Sequence, residues 1–356
     1  MILDAQRKPV TKKDRRAGCY PYYGATGVQD YVDTYIFDGR YLLVGEDGAK
    51  WGASDKTAFI VEGKCWVNNH AHILKVNSDI VDTFVEYYLT FKDLSEYITG
   101  AVVPKLTQQA LRNIPIPIPP LPEQERIVAE LDCLSDVIEK KKQQLKELDN
   151  LAQSIFYTTF GDPISNNFGW EIKPLGDVCE SELGKTLDAK RNTGELYPYL
   201  CSINVQWGHF DLSVVKEMKM EPKELERYTV RKGDLLICEG GDTGRSAVWN
   251  RDEVIYYQNA LHRLRFKANT MLPLFCQYLM LELKNKGEIA KYSKGQTIKH
   301  LVKSALLSIK AICPPFDLQQ EFVSKIEAIE KQKEIIKQSI EETETLFNSR
   351  MDYYFN

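Results

Sequence analysis

The chain repeats itself, and that limits its architecture more than any other feature. Ile114-Pro-Ile-Pro-Ile118-Pro119-Pro120-Leu121-Pro-Glu-Gln124 returns as Ile309-Lys-Ala-Ile-Cys313-Pro314-Pro315-Phe316-Asp-Leu-Gln319, an offset of 195 (314 minus 119). At that offset Gly100 meets Gly295, Ala110 meets Ala305, Leu111 meets Leu306, Val128 meets Val323 and Phe160 meets Phe355. Upstream, with small shifts, Tyr20, Glu46, His72, Phe84 and Tyr87 meet Tyr197, Glu239, His262, Phe275 and Tyr278. Internal self-similarity outranks local propensity as a guide to architecture. Each half reads as a globular domain, a proline-rich exit and a long helix. The expected boundaries are 1–115, 116–160, 161–310 and 311–356. The second copy opens with Trp170-Glu-Ile-Lys-Pro-Leu175-Gly176-Asp177, and nothing before Arg7 matches it.

After each exit the pattern becomes helical. Ile127, Leu131, Leu134, Ile138, Leu145, Leu148, Ala152, Ile155 and Thr159 fall at alternating four- and three-residue steps, interrupted by Lys141. The second copy follows with Phe322, Ile326, Ile329, Lys333, Ile336, Ile340, Thr343, Phe347, Arg350 and Tyr354. A stripe this narrow and long is a coiled-coil seam. A helix of about 38 residues spans roughly 55–60 Å and cannot bury such a stripe alone. Each seam is the other's natural partner, so the expectation is an intramolecular antiparallel coiled coil, relating the halves by a pseudo-twofold.

The globular parts mix short β-like runs with helical ones, an α+β class. Tyr31–Phe37 alternates and runs into Asp38-Gly39, a hairpin signal. Tyr41–Val44 and Val254–Tyr257 read as strands, Phe84–Tyr97 and Leu274–Lys286 as helices.

The net charge of −4 argues against a uniformly basic nucleic-acid binder, but the charge is segregated. Residues 7–16 hold Arg7, Lys8, Lys12, Lys13, Arg15 and Arg16 against Asp14 alone. Tyrosines cluster near the domain starts, at Tyr20, Tyr22, Tyr23 and at Tyr197, Tyr199. Polar side chains suited to base edges lie close by: Thr26, Gln29, Ser202, Asn204 and Gln206. Two Gly-opened loops precede the exits, one with Lys105 and one with Lys294, Gln296 and Lys299; both suit phosphate contacts. Lys185, Lys190, Arg191 and Arg245 complete the candidate DNA-contacting set.

No catalytic set stands out. There is no Gly-x-x-x-x-Gly-Lys-Ser/Thr loop, so ATP hydrolysis is not expected. Cys313-Pro-Pro-Phe316 lacks the amide or carboxylate of an amino-methyltransferase loop. A nuclease would need Asp47, Glu62 and Lys64 together, and the second copy offers no matching lysine. His70 and His72 could bind a metal, but only His262 returns, and a strand histidine is the simpler reading. No apolar run is long enough to span a membrane, and residues 1–10 lack a signal-peptide core, so a cytoplasmic protein is expected. Eight scattered cysteines without a Cys-x-x-Cys pair read as reduced residues.

Gly100-Ala-Val-Val-Pro104-Lys-Leu106, then Ile116-Pro-Ile-Pro-Pro-Leu121-Pro-Glu123-Gln124-Glu-Arg-Ile127, then a long helix, resembles the specificity subunits of Type I restriction-modification systems. So do Trp170 with Leu175-Gly176-Asp177, Tyr22-Tyr23-Gly24-Ala25-Thr26-Gly27 and Phe37-Asp38-Gly39. The second copy departs from the pattern at Asp317-Leu318 and at Lys299. The resemblance implies two target-recognition domains, each reading half of a split double-stranded DNA site, with the paired helices as a ruler. It implies a non-catalytic subunit of a phage-defence system that docks two methyltransferase subunits and, through them, restriction/translocase subunits. S-adenosylmethionine, ATP and Mg²⁺ then belong to those partners and no cofactor to this chain. A coiled-coil scaffold without DNA binding, or a DNA-cleaving enzyme, are the alternatives.

Overall fold

A computed structural model describes residues 1–188, 192–293 and 300–356. The candidates Lys190, Arg191, Lys294, Gln296 and Lys299 lie outside them. The chain forms two compact units: residues 1–143 with 336–356, and residues 144–335.

Unit 1 is built on a sheet ordered β2-β1-β4-β3-β5. Its strands are β1 (Ala17–Gly24), β2 (Gly27–Val32), β3 (Phe37–Gly45), β4 (Ala58–Val67) and β5 (Ala71–Leu74). Helix α1 (Asp82–Phe91) covers it, a small hairpin of β6 (Ile98–Thr99) and β7 (Lys105–Leu106) follows, and α2 (Gln108–Asn113) leads to the exit. The Asp38-Gly39 pair is not the expected turn. It lies inside β3, with Gly39 opposite Gly63 of β4. The turn falls instead between Gly24 and Gly27, because β1 and β2 are the segments whose backbone groups pair. The helix expected over Phe84–Tyr97 stops at Phe91, since Lys92 is extended.

Unit 2 repeats the plan with more strands. They are β8 (Glu171–Pro174), β9 (Cys179–Leu183), β10 (Glu195–Leu200), β11 (Lys216–Met220), β12 (Thr229–Val230), β13 (Leu235–Cys238), β14 (Ser246–Val248), β15 (Ile255–Tyr257), β16 (Leu261–Phe266) and β17 (Lys310–Cys313). Among the described residues they make sheets ordered β11-β10-β15-β12 and β14-β13-β16-β9, plus the pair β17-β8. With the long helix α3 (Leu121–Phe160) counted in chain order, the helices are α4 (Leu175–Val178), α5 (Pro222–Leu225), α6 (Pro273–Asn285), α7 (Ile289–Tyr292), α8 (Lys303–Leu307) and the second long helix α9 (Phe316–Phe355). The exit strand β17 has β8 as its partner. The matching exit in unit 1 reads Pro115-Ile116-Pro117-Ile118, where alternate prolines offer no N–H to a ladder.

The long helices contribute to both units, and within each unit they run antiparallel. In unit 1, Arg350 bonds Glu130 at 2.8 Å, while Lys141 donates to Ser339 Oγ at 2.6 Å and Thr343 Oγ1 at 2.9 Å. In unit 2, Lys333 pairs with Asp149 at 2.7 Å. Ile127, Leu131, Leu148, Ile326, Ile329, Ile336 and Ile340 are buried, while Leu134, Ile138 and Leu145 are half-buried.

Both seams change phase at their C-terminal ends. The buried residues there are Ala152, Phe156 and Phe160, not Ile155 and Thr159, and Met351 and Phe355, not Arg350 and Tyr354. Four-residue steps rotate the stripe around the helix, away from a strict heptad line. That rotation turns Phe160 onto Phe275 of α6 (4.8 Å between centroids) and Phe355 onto Phe84 of α1 (5.4 Å).

Two buried glutamines fasten the helix starts in the same way. Gln124 accepts from the Val81 N–H at 2.9 Å and donates to the Pro119 carbonyl at 2.8 Å and the Asp79 carbonyl at 3.3 Å. Gln319 accepts from the Leu272 N–H at 2.9 Å and donates to the Pro314 carbonyl at 2.9 Å and the Thr270 carbonyl at 3.3 Å.

Candidate DNA interface

The basic segment of residues 7–16 is not a loose tail. It is pinned across unit 1 as a strap. Trp66 Nε1 donates to the Lys8 carbonyl at 2.6 Å, and the Val10 N–H donates to the buried Tyr22 hydroxyl at 3.0 Å. The Arg15 guanidinium lies 4.2 Å from the Tyr22 ring centroid, donates to the Val10 carbonyl at 3.1 Å and pairs with Asp30 at 3.2 Å. The Tyr31 N–H and then Arg15 hold the Asp30 carboxyl below its ordinary range. Arg7 anchors the start of the strap on Glu46 at 2.5 Å and on the Ala71 carbonyl at 2.6 Å. What remains outside is Lys8, Lys12, Lys13 and Arg16, all exposed and without an ion-pair partner among the described residues. Cations fixed on a rigid support lose little conformational freedom when they meet a polyanion.

Glu46 is the hub of this corner. Besides Arg7 it binds Lys105 Nζ at 2.6 Å. His72 gives one ring nitrogen to Asp4 at 2.6 Å and the other to the Leu106 carbonyl at 2.8 Å. Burial pushes the Asp4 carboxyl up, but the His72 hydrogen bond and charge, with Arg7 beyond, hold it below its usual range. Asp4, Glu46 and His72 are spaced like metal ligands. Arg7 and Lys105 already neutralise the two carboxylates, so the corner has no charge left for a cation to balance. His72 is a strand residue, as is its counterpart His262, which bonds the Leu301 carbonyl at 2.9 Å.

Several candidates serve the scaffold rather than the surface. Tyr22 and Tyr199 are buried. Asn204 is buried, with its amide donating to the carbonyls of Asp211 at 2.9 Å and Val214 at 2.8 Å, so it staples a loop and cannot reach a base edge. Lys185 is buried against Glu224. Arg245 donates to the Ser202 carbonyl at 2.7 Å, and Gln206 donates to the Ile203 carbonyl at 2.8 Å. Tyr23 is half-buried against Phe59, and desolvation pushes its phenol up. Thr26 is exposed in the turn between β1 and β2. Residue type suggested these positions; facing, which sequence does not carry, removes most of them.

The structure adds residues the reading of sequence passed over. Lys64 lies 4.7 Å from the ring centroid of Tyr35, which itself packs at 5.1 Å on Tyr20. Tyr31 and Tyr35 are exposed. In unit 2, Tyr197 packs on Tyr256 at 5.2 Å. The hydrolytic trio does not assemble: Glu62 faces Arg40, about 16 Å of strand before Gly45, and Asp47 comes only after that. A cavity of about 320 Å³ in unit 2 is lined by Glu180, Glu182, Arg227, Arg263 and Arg265. Its charges are largely cross-paired, Arg227 with Glu182 and Arg265 with Asp234.

The family model for the Type I restriction modification DNA specificity domain matches twice, over residues 2–150 and 167–345. The chain belongs to that specificity family. A Haemophilus influenzae protein named as a type I restriction enzyme specificity subunit, S.HindORF215P, is 29% identical over 361 residues, spanning 99% of this chain and 91% of that protein. The MjaVIII specificity subunit of Methanocaldococcus jannaschii is 21% identical, spanning 95% of this chain and 86% of the relative. The S subunit from M. genitalium shares the fold with a TM-score of 0.57 at 14% identity, covering 99% of this chain and 94% of that one. A chain of another type I restriction-modification system aligns with a TM-score of 0.57 at 17% identity, covering 100% and 97%. As a specificity subunit, the chain is a sequence-specific DNA-recognition component of a restriction-modification system. No helix among the described residues is long and apolar enough to cross a membrane.

Proposed function

We propose that this specificity subunit reads a bipartite duplex site, one half-site per unit, and that its two long helices set the unread gap. The observation that carries the reading is the pinned strap, with Lys8, Lys12, Lys13 and Arg16 outward on a framework that the chain builds twice. Lys105 and Thr26 add contacts around it in unit 1, and the candidates outside the described residues, Lys190, Arg191, Lys294, Gln296 and Lys299, supply the second unit's share. The chain performs no chemistry itself. It acts in the cytoplasm, docks two methyltransferase subunits that bring S-adenosylmethionine, and through them the restriction/translocase subunits that use ATP and Mg²⁺. The domain plan behind this reading is 1–115 and 161–310 as readers, with 116–160 and 311–356 as spacers.

Methylome sequencing of the host with and without the gene tests it. The expected result is loss of one bipartite adenine-methylation motif with two different halves. An unchanged methylome, together with no DNA affinity in the presence of a methyltransferase partner, leaves the scaffold reading standing instead. The strap has its own measurement. Each phosphate contact contributes about −0.9 to the slope of log affinity against log salt. Replacing Lys8, Lys12, Lys13 and Arg16 by Ala reduces that slope by about 3–4.

A further inference from the structure

The hairpin of β6 and β7 ends in Gly100-Ala-Val-Val-Pro104, and its two valines have no protein to pack on: Val102 is 94% exposed and Val103 62%. The tip is not loose chain. Gly100 sits at φ +96°, and a Cβ there would lie 2.3 Å from the Val103 carbonyl oxygen, so the turn closes on its own backbone. Thr99 Oγ1 donates to the Lys105 carbonyl at 3.3 Å, and Leu106 donates its N–H to the Glu46 carbonyl at 2.8 Å. The base of the tip and the start of the basic strap meet on one carboxylate, since Lys105 and Arg7 both bind Glu46. An apolar point therefore projects from the corner at which the basic strap begins. An apolar protein surface would match the point but not the cations.

We infer that Val102 and Val103 contact the C5-methyl group of a thymine in the major groove of the half-site read by unit 1. This rests on the DNA reading above. DNA offers an apolar side chain two targets: thymine methyls, exposed in the major groove, and base faces, which must first be unstacked at a cost of a few kcal/mol per step. Two short, branched side chains cannot reach deep enough between bases to recover that cost, so the methyl group is the favoured target. In the corresponding stretch of the second copy, Lys294-Gly-Gln-Thr-Ile-Lys299, Thr297 stands in place of Val102 and Ile298 alone is apolar between two lysines, so the preference is assigned to the half-site read by unit 1.

The test uses the full chain assembled with its methyltransferase partner and duplexes carrying the methylated motif. Each thymine is replaced in turn by deoxyuridine, which removes only the methyl group. One position in one half-site weakens the wild-type complex about fivefold, as loss of a buried methyl contact should. Val102→Ser/Val103→Ser binds the parent site more weakly and is indifferent to that replacement. Because both side chains are exposed, the variant's thermal midpoint stays with the wild type. The inference is overturned if no thymine in either half-site responds, or if the response persists in the variant. It is also overturned if the variant keeps full DNA affinity but no longer assembles with the methyltransferase, which would make the tip a protein contact. Failure of the wild-type complex to bind the motif at all sinks the DNA reading and this inference together.

Discussion

The two units share a framework and differ in what they attach to it. The glutamine fasteners Gln124 and Gln319 make the same three hydrogen bonds to within 0.1 Å. The histidines His72 and His262 bond the matching leucine carbonyls, Leu106 and Leu301, and Phe355 and Phe160 close equivalent pockets. Around this constant part the charges diverge. Glu46 in unit 1 holds two cations. Its counterpart Glu239 has no ion pair among the described residues, and burial raises its carboxyl. Groups that fix the helices to the domains cannot vary without unfolding a unit; groups at the rim can, and at the rim the charges of the two copies diverge.

If the framework is shared, breaking it should cost the same in both copies. Phe160→Ala and Phe355→Ala each empty a pocket with no exposure, or nearly none, and each should cost about 3–5 kcal/mol in denaturant unfolding. Hydrogen exchange should show α6 opening in the first variant and α1 in the second. A large cost in one unit only would break the comparison. Gln124→Ala and Gln319→Ala come next, at about 1–3 kcal/mol each, because a buried backbone N–H loses its acceptor in each case. Unequal losses would show that the fasteners are alike in geometry but not in use.

The smallest effect sharpens the difference. Glu86 on α1 stands where α6 has Gln277, whose amide oxygen accepts from the Val248 N–H at 3.0 Å. Burial pushes Glu86 up to about 6, against the opposing pull of the Lys56 charge. Its folded value therefore exceeds its value of 4.5 in the unfolded chain, so the folded state holds the proton longer. Stability falls as pH rises from about 4.5 through about 6, and the loss is complete above that. Glu86→Gln makes unit 1 resemble unit 2. It should raise stability on the order of 1 kcal/mol at pH 7, after discounting for solvent screening. The gain should vanish below pH ~4.5, as seen in thermal melts across that range. A gain that persists at low pH would point to packing rather than ionisation.

Much of this was legible before any coordinates. The offset of 195 pairs Gln124 with Gln319 and Phe160 with Phe355, and the heptad stripe names Ile127, Leu131, Leu148, Ile326, Ile336 and Ile340 as buried. Other things were not. Nothing local distinguishes Phe156 and Phe160 from Ile155 and Thr159 as seam residues, because the choice depends on where α6 lies. Asp38-Gly39 has the composition of a turn and the position of a strand. Tyr22 and Asn204 have the chemistry of DNA readers and the surroundings of core residues.

The division follows from what each kind of information contains. Sequence determined the duplication, the helix pair, the class of fold and the basic run, because periodicity and repetition are properties of order along the chain. Only the tertiary structure decided which side of each element meets solvent. The strap became a surface because Trp66 and Tyr22 hold its backbone. The tip of the small hairpin became one because nothing packs on Val102. Exposure is set by neighbours far away in the chain, and no single stretch of residues records them.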